Sequence, residues 1–168
     1  MKPEVIRVKA ICVFRTDDRI LVFEAFDSAA GRRFYRPLGG AVEPGETSHE
    51  AIEREIREEV GLDISRVRLL GTLEHLFSYE GKPGHEIVFV YDACFNNESV
   101  YESNEVIVHQ DDGDTILASW RSIHSFDNYH RLAPESLASL LKSSGNTMTE
   151  DDPLSPDSNS SADGHPPC

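Results

Sequence analysis

Three glutamates, Glu55, Glu58 and Glu59, stand at i, i+3 and i+4 of a segment with helical patterning. That spacing brings their carboxylates out along one stripe of a helix. Carboxylates held so close repel, each like-charge i,i+4 pair costing about 0.2–0.5 kcal/mol. A hard divalent cation offsets the repulsion, because Mg2+ prefers oxygen ligands and takes a few carboxylates while keeping several waters. The alternative is a solvated, charge-laced helix. Glu50–Arg54 and Glu53–Arg57 suit that alternative as i,i+4 pairs with Glu first. They leave Glu55, Glu58 and Glu59 without a cation at i+4.

The elements that must position these groups follow from pattern. Residues 47–60 predict a helix: Thr47 and Glu50 make a capping box, Ile52, Ile56 and Val60 repeat at i, i+4 and i+8, and Gly61 supplies a left-handed cap. Residues 5–14 read as a strand, 16–19 as a turn, and 20–23 as a strand pairing back in a hairpin. Residues 32–42 read as a loop containing Pro37, Gly39 and Gly40. Downstream, 67–77, 85–95, 100–108 and 115–120 read as extended segments. Turns are expected at 79–84 and 111–114. A last helix is expected over 134–142, with Pro134 in its first turn. One helix between strands, a meander and a closing helix predict a mixed-sheet α/β or α+β sandwich.

In the 32–42 loop, Arg32, Arg33 and Arg36 fall within five residues. Their forked donors suit phosphate oxygens, and the alternative is a solvated loop that offsets nearby acids. Phe34 and Tyr35 could stack on a base or pack in the core.

The chain has 168 residues, one domain's worth, and 16 Lys plus Arg against 30 Asp plus Glu, a formal net charge of −14. Such acidity argues against a DNA or RNA backbone binder and against docking on anionic membrane. It leaves open a phosphate-bearing small molecule reached through divalent metal. The acid is clustered. Residues 40–62 hold seven carboxylates against Arg54 and Arg57, and residues 143–168 hold five with no Lys or Arg. The second cluster is rich in Ser and Pro and reads as a disordered tail, leaving residues 3–142 as the folded domain. Cys12, Cys94 and Cys168 make neither a disulfide framework nor a zinc site. No apolar run is long enough to span a bilayer and no signal peptide follows Met1, so the expected setting is cytoplasmic.

Taken together, Gly40, five residues, Glu46, seven residues, then Arg54-Glu55-Ile56-Arg57-Glu58-Glu59-Val60-Gly61-Leu62 resembles the Nudix box, Gly-x5-Glu-x7-Arg-Glu-U-x-Glu-Glu-x-Gly-U, at every fixed position. The resemblance implies an α/β/α sandwich around a mixed sheet. It implies Mg2+- or Mn2+-dependent hydrolysis of a nucleoside diphosphate linked to another group. Glu55, Glu58 and Glu59 would then be metal ligands, joined by the Gly40 carbonyl, and Arg54 would pair with Glu46 and orient the cluster. Glu55, Glu86, Glu105 and the acids Asp111, Asp112 and Asp114 are the candidates for the general base, with no choice among them. Tyr79, 17 residues after Leu62, resembles a marker of the diadenosine-polyphosphate members. Leu76, Phe77 and Ser78 stand where ADP-ribose members carry proline, and the NADH and coenzyme A motifs are not seen. Leu38, between Pro37 and the glycines, is an insertion relative to many relatives. Many relatives dimerise, so a homodimer is open. A nucleotide-sensing module without turnover and an acidic protein-interaction surface are the competing readings. Retention of every box glutamate favours the enzyme.

Overall fold

Val, Ile, Leu and Phe crowd the segments on either side of the acidic helix, and such side chains fit a pleated, half-buried surface. The computed structural model, which describes residues 5–110 and 113–144, accordingly consists mostly of strands. In chain order these are β1 (Arg7–Val13), β2 (Arg15–Thr16), β3 (Arg19–Asp27), β4 (Arg32–Arg36) and β5 (Leu38–Ala41), then helix α1 (Ser48–Val60). There follow β6 (Ile64–Tyr79), β7 (Lys82–Phe95), a short helix α2 (Ser99–Glu102), β8 (Glu105–His109), β9 (Thr115–Ser122), β10 (Arg131–Leu132) and α3 (Leu137–Ser144).

The strands form two mixed sheets. One runs β5-β1-β7-β6, with β1 and β7 parallel and the other pairs antiparallel. The second runs β10-β4-β3-β9-β8, with β2 also on β3. Period-2 alternation sends β1 side chains two ways. Ala10 and Cys12 pack in a core with Ala51, Ile52 and Ile56 of α1. Ile11 and Val13 pack in a second core with Val88, Val90 and the α3 residues Leu137 and Leu141. The two long helices therefore cover separate cores on opposite faces of β1, the layered α+β arrangement expected from the pattern.

Several expectations need correction. The strand at 20–23 extends to Asp27 and pairs back only on Arg15–Thr16. It does not form a hairpin with β1, because β1 is already flanked by β5 and β7. Residues 32–42 are not a loop: they form β4 and β5, separated at Pro37, which has no N–H to donate to a ladder. The turn at 79–84 shrinks to Glu80 and Gly81, both at positive φ, and Lys82 already begins β7. Residues 99–102 are helical, with Val100 turned into the core, and only 105–109 are extended. The last helix begins at Leu137, leaving Pro134 ahead of it after a cis peptide bond. Of the tail expected over residues 143–168, Ser143 and Ser144 close α3 and the rest lies outside the described residues, as do Asp111 and Asp112.

Candidate active site

The site is assembled on the second half of α1 and the strand facing it. Thr47 caps the helix: its side chain accepts from the Glu50 N–H, while the Glu50 carboxylate accepts from the Thr47 N–H at 2.7 Å. Gly61, at φ 69°, closes the other end by donating to the Arg57 carbonyl. Between these ends Ile52 and Ile56 are fully buried, and Glu55 and Glu59 share that face at 6% and 7% exposure. Glu58, one position off the face, keeps its side chain 55% exposed. A helix does not bury two carboxylates against its apolar stripe unless polar partners meet them.

Those partners come from β5 and from Arg54. The Gly39 N–H donates to Glu59 Oε2 at 2.9 Å. Gly40 lies directly under the Glu55 carboxyl, in space that a Cβ would fill. Arg54 then ties the group together. Nε and Nη2 fork onto the two Glu46 oxygens at 3.1 and 2.7 Å, Nη1 reaches both Glu55 and Glu58 at 3.0 Å, and Nη2 also donates to the Ala41 carbonyl at 2.9 Å. Bidentate, charge-assisted pairs of this kind are strong and directional. The Glu46 hydrogen bond, with help from Glu55 and Glu58, holds the Arg54 guanidinium protonated well above its usual range. The same bond, with the Glu43 N–H, holds the Glu46 carboxyl below the ordinary carboxylate value.

On the other face of β1 a cavity of about 350 Å³ opens between the two sheets. Strands β1, β3, β4, β6 and β7 line it, with residues 131–135 and Gln110 at the border. Arg7 Nη2 contacts the buried Glu86 at 2.9 Å, and His75 Nδ1 lies 3.7 Å from the other Glu86 oxygen. Burial pushes the Glu86 carboxyl up, but the neighbouring His75 ring and the charges of Lys9, Arg36 and Arg7 outweigh it and leave it lowered. Burial and then the Arg36 charge lower the Lys9 ammonium, against the opposing pull of Glu86 and Glu55.

A family profile described as the NUDIX domain matches residues 5–143. The chain belongs to the Nudix family. Among curated proteins it is 33% identical over 101 residues to "Uncharacterized Nudix hydrolase YvcI" of Bacillus subtilis, covering 56% of this chain and 58% of that one. It is 41% identical over 44 residues to "8-oxo-dGTP diphosphatase" of Proteus vulgaris, 26% of this chain and 39% of that protein. The alignment therefore spans little more than half the length of the first relative and less of the other. Among solved structures, the MutT NUDIX hydrolase of Burkholderia pseudomallei superposes with a TM-score of 0.58 at 25% identity, over 80% of this chain and 96% of that one. The NUDIX hydrolase of Nitrosomonas europaea superposes at 0.57 and 20% identity, over 84% and 90%, which speaks for the fold.

The Nudix box residues Gly40, Glu46, Arg54, Glu55, Glu58 and Glu59 thus come together on one side of β1. The residues proposed for substrate divide. Arg32 and Arg36 line the cavity, and so does Tyr79, whose ring meets Phe34 edge-on at 5.9 Å. Arg33 alternates to the opposite face of β4, pairs with Glu24 and lies over the Phe26 ring. Of the candidate bases, Glu55 sits in the box cluster. Glu86 is in the cavity wall on the reverse face, engaged by Arg7 and His75. Glu105 opens β8 opposite Ser119, and the Asp114 carbonyl accepts from the Gln110 N–H at 2.8 Å. Sequence reading missed Arg7, Lys9 and His75. Their signal was present for the first two: Arg7 and Lys9 alternate in an otherwise apolar strand and must share a face.

Proposed function

We propose that the chain is a Mg2+-dependent pyrophosphohydrolase that cleaves a nucleoside diphosphate linked to another group, using metal-activated water. The observation that carries this reading is the convergence of Glu55, Glu58, Glu59 and Arg54 on the Gly39–Gly40 strand. Among the described residues no three His, Cys, Asp or Glu side chains already form a closed metal cluster. The donor set nonetheless fits a hard divalent cation. It is all oxygen, Gly40 leaves the Glu55 carboxyl room beside a backbone carbonyl, and the Arg54 guanidinium already places positive charge between Glu55 and Glu58. Glu55, Glu58, Glu59 and the Gly40 carbonyl would hold Mg2+ or Mn2+. Bound there, the ion would neutralise phosphate oxygens and acidify the attacking water.

The chain's own groups supply orientation. Arg54, fixed by the Glu46 fork, sets the rotamers of Glu55 and Glu58. The Gly39 N–H holds Glu59 inward. The buried positions of Glu55 and Glu59 keep bulk water from their carboxylates. One of these carboxylates, or an acid from another loop, would take the water's proton. The nucleoside side of the substrate lies in the cavity, against Phe34 and Tyr79.

The test is turnover of a panel of nucleotides, dinucleoside polyphosphates and nucleotide sugars with Mg2+, alongside Glu58→Gln and Glu59→Gln. We expect activity lost in EDTA and reduced at least a hundredfold by Glu59→Gln. Binding without turnover would support the nucleotide-sensing reading instead. Turnover indifferent to both substitutions would refute the proposal.

A further inference from the structure

We propose that the cavity binds an anionic group of its own, set apart from the diphosphate handled by the Nudix box. The substrate would then carry negative charge at two separated places: the scissile diphosphate and a phosphate on the nucleoside that fills the cavity. The inference rests on the hydrolase reading for the first of these and on the cavity alone for the second.

The first argument is unbalanced charge. In a chain of net charge −14, this cavity is lined by Arg7, Lys9, Arg32, Arg36 and Arg131 against three carboxylates. Outside the strand ladders, the side chains of Lys9, Arg32 and Arg36 make no hydrogen bond or close ion pair with another described residue. Lys9 and Arg36 are close enough for the second to disfavour the charge on the first. The carboxylate that acts on both, Glu86, is already shared with Arg7 and His75, and Glu55 acts more weakly on Lys9 across the strand. Two cations gathered beside a committed carboxylate are an unfavourable arrangement until an anion joins them.

The second argument is direction. In β1, Ala10 pairs with Gly40 and faces α1, where Glu55 lies over Gly40. Lys9 is its neighbour in the strand and points the opposite way, into the cavity with Glu86. The cations are therefore on the reverse face from the carboxylate cluster, and a diphosphate held by the cluster does not satisfy them. Along β4, Arg32, Phe34 and Arg36 share one face, with the two arginines about 13 Å apart at the usual strand rise. A ring stacked near Phe34 would have a cation at either end. The 350 Å³ volume suits a group of nucleoside size.

The test is binding in EDTA, where the carboxylate cluster is idle. Calorimetry on the full chain compares adenosine 3′,5′-bisphosphate with AMP, a pair differing by one phosphate. We expect the bisphosphate to bind at least about tenfold tighter, the effect of one added charge-assisted contact. Lys9→Met and Arg36→Gln should erase the preference, and Glu59→Gln should leave it unchanged. Arg32→Gln, at the exposed rim, does not threaten the fold and should reduce the preference when the core variants are poorly behaved. Equal binding of the pair, or a preference that survives all three cavity substitutions, overturns the inference. A bisphosphate preference without turnover of any nucleotide would sustain the cavity site and sink the hydrolase reading, so the two failures are distinguishable.

Discussion

Replacing Gly40 with alanine should separate the chemistry from the fold. The new Cβ would fall inside the Glu55 carboxyl group. Ordinary contact between such atoms is about 3.5 Å, so the carboxyl must retreat by roughly 1 Å. It is the far end of an unbranched side chain, so the backbone need not follow. An off-rotamer Glu55 costs about 0.5–1.5 kcal/mol. Stretching its 3.0 Å bond to Arg54 Nη1 costs about 1 kcal/mol more. A total of about 2 kcal/mol leaves a domain of this size folded. Misplacing a catalytic group by about 1 Å, in contrast, costs on the order of a hundredfold in rate. The expected result is a melting temperature lowered by several degrees, a rate near 1% of wild type, and a higher Mg2+ concentration for half-maximal rate. Gly39→Ala is the contrasting variant. Its Cβ would strike the Ala10 carbonyl and the Ile11 backbone, at φ 124°, so the strand itself must move. Strain and overpacking together cost several kcal/mol, on the order of 2–6, and the fold should be lost or nearly so. Thermal melts by circular dichroism and initial rates across a Mg2+ titration read both variants. A Gly40→Ala protein with wild-type rate and Mg2+ response would refute the argument that Glu55 acts from its seat on Gly40.

Three further outcomes follow from the same geometry. Thr47→Ala removes the side-chain half of the capping box and leaves the backbone N–H of residue 47 on Glu50; it should cost about 1 kcal/mol in chemical denaturation, with little change in the Mg2+ response. Arg54→Lys keeps the charge but loses the fork onto Glu46, so it should lower both stability and rate, by about 1–3 kcal/mol in denaturant midpoint analysis; a silent substitution would mean that the fork is dispensable. Glu86 is held below the ordinary glutamate value near 4.3. Its contribution to stability is therefore present above that pH and is lost as pH falls through the lowered value. The gap in melting temperature between wild type and Glu86→Gln should be open at pH 7 and close below about pH 4; a gap constant down to pH 3 would show that Glu86 stabilises through packing alone.

The acidic helix was legible because its signals are local. The capping box, the i, i+4 apolar repeat and the C-terminal glycine lie within fifteen residues of one another, and each was found where its side chains placed it. The Arg54–Glu46 pair is also short-range, eight residues apart. What failed was non-local. Residues 32–42 look like a loop because Pro37, Gly39 and Gly40 weaken any strand signal. They are strands because β1 and β3 each offer an open edge, and tertiary pairing overrides propensity there. The hairpin between 5–14 and 20–23 was a plausible local pairing that lost to the parallel β1–β7 ladder, whose partners are almost eighty residues apart. The cavity was invisible for the same reason. Arg7, Arg36, His75 and Glu86 come from four strands and share no motif.

The net charge of −14 describes neither face of β1. On the α1 face, glutamates and one arginine meet a strand that contributes only backbone: the Gly39 N–H and the space above Gly40. A residue with any side chain at Gly40 would push the acid outward, so an absent side chain is what lets the carboxylates gather. On the reverse face of the same strand, Arg7 and Lys9 turn cations into a cavity whose two buried acids are already engaged, Glu86 by Arg7 and Asp27 by the Ala30 and Glu80 N–H groups. Period-2 alternation separates two fields of opposite sign by the thickness of a single sheet. Metal would draw phosphate to one side, and unpaired cations would draw it to the other. A ligand that reaches around β5 at Gly39 and Gly40 can satisfy both, whereas one with charge at a single place satisfies only one. On this argument, the distance between charges on the substrate matters as much as their number.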